Sequence, residues 1–232
     1  MKIGTEPDAE IVLLPGRAAL LPESATLLVA DLHLGKAATF RKAGIPVPEG
    51  SAQRDLARLA DLVARHGVRR LLVLGDLFHA RSGCTEQVQA EFAAMRSQVR
   101  GAEVVLVLGN HDRPLGTMLA SLGIDAVVSS LDEPPLHFVH EPSTAIATAG
   151  HDVFTIGGHL HPTVSICSPS GDRIADRCFV AEPATLVLPA FGSFTGGHRI
   201  TPTDDTRIWI ARDDGVVDVS RLVASAVRRT SR

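Results

Sequence analysis

Five apolar runs along the chain each stop abruptly at a cluster of polar residues: TLLVA before Asp31, RLLVLG before Asp76, EVVLVLG before Asn110, LHFV before His140 and VFTIGG before His159. Short runs rich in Val, Leu and Ile suit strands covered on both faces. Between the first three runs the apolar spacing changes to that of a helix. Leu56, Leu59, Leu62 and Val63 share one face of the segment from Ser51 to His66, and Val88, Phe92, Met95 and Val99 share one face of the next. Strand, helix, strand, helix, strand is the order of right-handed βαβ units, whose ligands bind beyond the carboxyl ends of the strands. Every one of the five polar clusters lies at such an end.

After about residue 125 the runs come closer together, and VFTIG, TVSIC, RCFVA, TLVLPAF, RIWIA and VVDVS are joined by Gly, Pro and Asp turns. The second half therefore adds sheet. No stretch reads as a linker, repeat or low-complexity segment, so the 232 residues are expected to form one domain, 1–232, with the basic tail SAVRRTSR frayed. The fold class is α/β.

Composition narrows the possibilities. Apolar residues make up 45% and charged residues 21%, ordinary globular usage. No run approaches the roughly eighteen apolar residues of a membrane span. Met1 to Pro15 lacks the long apolar stretch and small-residue cleavage site of a signal peptide, so the expectation is a cytoplasmic protein with no membrane partner. The three cysteines, Cys84, Cys167 and Cys178, form no CxxC pair, which argues against a disulfide framework or a zinc knuckle. A net charge of −3 excludes coating of nucleic acid by bulk electrostatics and leaves open a local basic groove. Ten histidines, beside one tryptophan and no tyrosine, change the picture most, because histidine is the commonest side-chain metal ligand.

In order, the polar clusters are Asp31-Leu-His33, Gly75-Asp76, Gly109-Asn110-His111-Asp112, His140 and Gly158-His159-Leu-His161. Singly, each passes as a turn or a surface loop. Jointly, they put carboxylate, imidazole and amide groups just past successive strands, where folding gathers them at one rim. Such ligands suit two borderline divalent ions, manganese, iron or zinc. Two ions about 3.5–4 Å apart need a bridging group, and Asp76 is the candidate. The pair would acidify a water and hold phosphate oxygens for in-line attack, which is hydrolysis of a phosphate ester. Lys36, Arg41 and Arg81 follow these loops and are candidates to grip the substrate phosphate, against a solvated surface role. Gly192 to Gly197 is a candidate edge of the site. His66 is expected at a helix C-terminus and His137 away from the site, while His151 and His198 are left without a role.

The ordered motifs DxH, GD, GNHD, H and GHxH, from Asp31 to Pro162, resemble those of the calcineurin-like metallophosphoesterases. The resemblance implies a four-layer αββα sandwich. It also implies one metal on Asp31, His33, Asp76 and His161, the other on Asp76, Asn110, His140 and His159, and His111 as the proton donor to the leaving oxygen. Manganese is the first expectation. The longer strings DLHLGKAATFRKAGIPVPEG, LGDLFHAR, HEP, GGHLHP and LPAFGSFTGG, between Asp31 and Gly197, are similar to a bacterial branch of that family, the ligase-associated DNA-damage-response endonucleases. That similarity implies phosphodiester hydrolysis in DNA during repair, in functional association with a DNA ligase, an exonuclease and a helicase. His79 departs from the wider pattern: many members carry an acidic residue there that orients the catalytic histidine, which leaves open what orients His111. Two other readings compete. One is a phosphodiesterase or phosphatase for a nucleotide or other small ester on the same centre; the other is a non-catalytic scaffold, against which stands the presence of every expected ligand.

Overall fold

In the computed structural model, residues 2–4, 9–142, 153–167, 173–212 and 214–223 are described. The first sheet runs in sequence order through β1 (Lys2–Gly4), β2 (Glu10–Leu14), β3 (Ala18–Leu21), β4 (Thr26–Val29), β5 (Arg70–Leu74), β6 (Glu103–Val107) and β7 (Ala126–Val128). β1 to β4 are antiparallel neighbours. β4 to β7 are parallel, as the βαβ reading requires. The β2–β3 hairpin was not anticipated; its turn holds Gly16 at φ 79° and Arg17 at φ 70°, the left-handed pair that matches the twist of a tight hairpin. The crossovers are α1 (Lys36–Lys42), α2 (Ser51–Arg65) and α3 (Glu86–Gln98), and a 3₁₀ segment, Arg113–Leu122, leads into β7. At the start of α3, Thr85 Oγ1 accepts a hydrogen bond from Val88 N at 3.3 Å, satisfying an amide that the helix leaves free.

The second sheet has β8 (Leu131–Glu133), β9 (Leu136–Phe138), β10 (Phe154–Gly157), β11 (Pro162–Cys167), β12 (Arg173–Glu182), β13 (Thr185–Val187), β14 (His198–Arg199), β15 (Arg207–Ala211) and β16 (Val216–Asp218). Its order is β14-β11-β12-β13-β10-β9-β8, with β15 pairing β12 and β16. β9, β10 and β13 are mutually parallel, so their carboxyl ends share one rim.

Because the central strands are apolar on both faces, each sheet is packed on both sides. Leu28, Leu72 and Val107 of the first sheet meet Phe138, Ile156, Phe179 and Trp209 of the second in a layer between the sheets. On its outer face the first sheet packs Leu27, Val73 and Leu106 against Leu59 of α2, Phe92 of α3 and Leu119. The outer face of the second sheet packs Val180, Ile208 and Ile210 against Val219 and Val223, where residues 220–223 form a helical turn. The expected α/β sandwich is therefore present: two sheets face to face, flanked by helical structure. Burying one side chain of this size contributes about 2 kcal/mol, so the layer between the sheets, rather than any surface pair, holds them together. Among the described residues no helix is long and apolar enough to cross a membrane.

The sheets also meet at the rim. Ala30, just past β4, forms a parallel bridge with Ala190, just past β13, and Phe191 N donates to Ala30 O at 2.8 Å.

Candidate metal centre

The loops after β4 and β5 stay paired beyond the strands. Asp31 N donates to Gly75 O at 3.1 Å, His33 N to Asp76 O at 2.8 Å and Leu34 N to Leu77 O at 2.9 Å. Asp31, His33 and Asp76 thereby enter the rim on a stiff ladder. Seven non-glycine residues have positive φ among those described, and five are Asp31 (56°), His33 (49°), Asp76 (52°), His159 (69°) and His161 (46°). The left-handed region costs an L-residue roughly 1–2 kcal/mol, and such strain persists only where the surroundings enforce it. Glycines next to these residues make room. A Cβ on Gly75, itself at φ 80°, would run into the His140 ring, and one on Gly109 would strike Asp76, which accounts for the glycines of GD and GN.

All seven residues expected as metal ligands converge. Asp76 Oδ2 lies 3.6 Å from His33 Nε2 and 3.5 Å from His140 Nε2, while Asp76 Oδ1 accepts from His111 N at 2.9 Å. On one side, His33 Nε2 and His161 Nε2 are 3.2 Å apart, and His161 Nε2 is 3.3 Å from Asp31 Oδ1. On the other, His140 Nε2 is 3.0 Å from Asn110 Oδ1 and 3.1 Å from His159 Nδ1. Two groups result, Asp31-His33-Asp76-His161 and Asp76-His140-His159, and within each the ligand atoms lie within 4.8 Å of one another. Asp76 belongs to both.

The donor set fits cations. Asp31 Oδ1 is buried and accepts no hydrogen bond, which is costly for a carboxylate oxygen unless a positive charge faces it. Burial, outweighing the pull of Asp76, holds His33 down at about 3, so its imidazole is neutral and its lone pair available. Burial opposes charge on His140 too, but there the hydrogen bond and charge of Asp76, with the charge of Asp31, prevail and raise it to about 9. The same contact overcomes the burial of Asp76 and lowers it to about 2. The two shifts have one cause: negative charge on Asp76 and positive charge on His140 favour one another across 3.5 Å, where a cation would serve Asp76 equally well.

His111 stands beside these groups. Its Nδ1 donates to the His79 carbonyl at 2.6 Å, and its ring stacks on that of His79 with centroids 5.0 Å apart. A main-chain carbonyl and a neighbouring ring thus orient His111 where the wider pattern uses an acid. This bond fixes the tautomer and leaves Nε2 for chemistry.

Asp112 went without a role in the sequence reading. It is fully buried, with Oδ1 accepting from Phe78 N at 3.1 Å and Oδ2 from Gly109 N at 3.1 Å and Leu77 N at 3.3 Å. It ties the GD loop to the GNHD loop. Asp55 was also missed: it accepts from Ser193 N at 2.7 Å and Ser193 Oγ at 2.9 Å, clamping the 192–197 loop to α2. A carboxylate on the same helical stripe as Leu59 and Leu62 was the available signal.

The three phosphate-gripping candidates separate. Lys36 is half-buried, acts electrostatically on His33 and His79, and lines a recess with His33. Arg41 turns away, with NH1 3.4 Å from Val47 O and Nε 4.0 Å from Glu49. Arg81 is exposed on the short turn Arg81–Gly83. His66 caps the C-terminus of α2, His137 pairs with Asp132 at 2.5 Å, and His198 is exposed, its N donating to His161 O at 2.9 Å. His151 lies outside the described residues.

The family model for calcineurin-like phosphoesterases matches residues 25–185. Among solved structures, a nuclease named MPE from Pseudomonas putida is 33% identical over 94% of this chain and 98% of its own, with a TM-score of 0.76. A protein of unknown function from Aquifex aeolicus is 15% identical over 59% of this chain and 78% of its own, with a TM-score of 0.42. No curated protein matches.

Proposed function

Since the chain belongs to the calcineurin-like phosphoesterase family, we propose that it is a metal-dependent phosphodiesterase or endonuclease, hydrolysing phosphodiester bonds in DNA through a two-metal centre that takes manganese. The observation that carries this reading is Asp76 Oδ2, which lies 3.6 Å from His33 Nε2 and 3.5 Å from His140 Nε2 and so belongs to both ligand groups, as suits a carboxylate that would serve two ions. The likeness to a nuclease along almost the whole chain supports a nucleic acid as substrate, and the motif strings point to DNA. A repair role, a cytoplasmic location and association with a DNA ligase, an exonuclease and a helicase belong to the same proposal and rest on the motif strings.

In this reading Asp31, His33, Asp76 and His161 would hold one ion, and Asp76, Asn110, His140 and His159 the other. Two divalent ions there would supply charge against the phosphate oxygens and acidify the attacking water. The chain's own residues do the rest. Water oxygen forms the new bond to phosphorus, its proton passing to solvent, as the bond to the leaving oxygen breaks in line with it. His111, protonated at Nε2 and steadied through Nδ1 by His79 O, gives its proton to that leaving oxygen. Lys36 places positive charge beside the developing anion.

The test uses the metal-stripped protein, reloaded with manganese, on bis-para-nitrophenyl phosphate, its mono-ester analogue and single- and double-stranded DNA. Metal-dependent cleavage of diester and DNA is expected. Diester cleavage with intact DNA would assign a small-molecule phosphodiesterase, mono-ester preference a phosphatase, and no turnover with any metal a scaffold.

A further inference from the structure

Outside the ligand groups, the feature with no role is an aromatic residue at the rim. Phe194 sits in the loop after β13 and is 36% exposed. Isolated exposed apolar side chains are common and mean little. This one differs in how it is held. Ser193 N and Oγ donate to Asp55, Arg58 donates to Phe191 O, and the Arg177 guanidinium donates to Ser193 O at 2.9 Å and Thr195 O at 2.6 Å. Helix α2 and strand β12 thus grip the loop from both sides of Phe194 and leave that residue partly exposed.

Its position is equally specific. Phe194 meets the Phe40 ring edge-to-face, with centroids 5.6 Å apart, and Phe40 meets His79 in the same manner at 6.3 Å. His79 stacks on His111. Phe194, Lys36 and His33 also border one narrow crevice of about 10 Å³, so an apolar face, a cation and a metal-binding imidazole flank its mouth and a ligand would lie across it, not inside it. A nucleotide has the matching parts: a phosphate for the polar end and a flat base for the aromatic end.

We propose that Phe194, backed by Phe40, is a stacking shelf for a nucleobase adjoining the phosphate held at the metal centre, which makes the substrate a base-bearing strand with that base unpaired and turned outward. The inference rests on the nuclease reading and adds to it the residue that recognises the base. A base held this way is read by its π-face, so the shelf tolerates all four bases.

The experiment compares a single-stranded oligonucleotide with a fully abasic strand of the same length and charge, using the manganese-loaded protein. Phe194→Ala is expected to raise KM for the base-bearing strand by about tenfold, the weight of one base stack. KM for the abasic strand, kcat and metal content should stay unchanged, and Phe194→Trp should retain wild-type KM. Equal effects of Phe194→Ala on both strands, or none on either, would overturn the shelf while leaving the nuclease reading intact. If the wild-type protein cleaves no DNA, the nuclease reading fails, and the shelf is judged by binding. Trp209 is wholly buried, so the fluorescence change of Phe194→Trp on titration reports the rim. Quenching by the base-bearing strand alone supports the shelf, and quenching by both or neither rejects it.

Discussion

The Asp76–His140 contact makes a statement about pH that the metal-free protein can answer. His140 is raised from its ordinary 6.5 to about 9, so the stability it contributes is fully present below 6.5 and is lost as pH rises through 9. Cations need the neutral imidazole, so their uptake at pH 7 should expel that proton. Titrating manganese calorimetrically in two buffers of different ionisation enthalpy should give different heats at pH 7, with the part due to His140 fading as pH rises through 9. Heats independent of buffer at pH 7 would place the proton elsewhere. His111 behaves differently, since its Nδ1 is tied to the His79 carbonyl. His111→Ala should retain both metals by elemental analysis while turnover falls about 10²–10⁴-fold, the usual weight of a general acid; loss of metal alongside activity would reassign it as a ligand. These residues were legible in the sequence because each follows an apolar run. The partner of His111 was not, because it is a main-chain carbonyl and carries no side-chain signature.

The loops depend on one another through Asp112. Replacing it with Ala strands three buried amides, those of Leu77, Phe78 and Gly109, at about 1–3 kcal/mol each, partly offset by release of a carboxylate that burial raises to about 6. We expect a net loss of about 2–4 kcal/mol by denaturant titration and weaker metal binding, with Asp112→Asn milder; unchanged stability would mean the loops are set by their ladder alone. The parallel strands β4, β5, β6, β9 and β10 could be read in advance because burial leaves short, mostly apolar runs that stop at polar clusters. So could α2 and α3, whose stripes have helical period. β7, β8 and β14 could not, being too short to show a period. The β2–β3 hairpin had a signal in Pro15-Gly16 between two apolar runs, but its turn places Arg17 in a conformation usually left to Gly or Asn.

At the scale of the molecule, charge and site pull in different directions. A net charge of −3 supplies no long-range attraction for DNA, so affinity must come from the rim, where Lys36 is the basic candidate turned toward the ligands. With roughly two phosphates neutralised, KM for single-stranded DNA should rise about sevenfold between 50 and 200 mM salt with kcat unchanged. A rise of a thousandfold would demand an extended basic track. The site itself straddles the sandwich. Asp31, His33, Asp76 and Asn110 follow strands of the first sheet, while His140, His159 and His161 follow strands of the second. Any cation seated among them is therefore a clasp across two leaves that also meet at that rim through the Ala30–Ala190 bridge and hydrogen bonds such as Gly192 N to Asp31 O and His159 N to Asp31 Oδ2. Its removal would slacken the jaw as well as silence the chemistry, and the Phe191 amide, hydrogen-bonded to Ala30, would be the hinge pin whose deuterium uptake tells how far the leaves part.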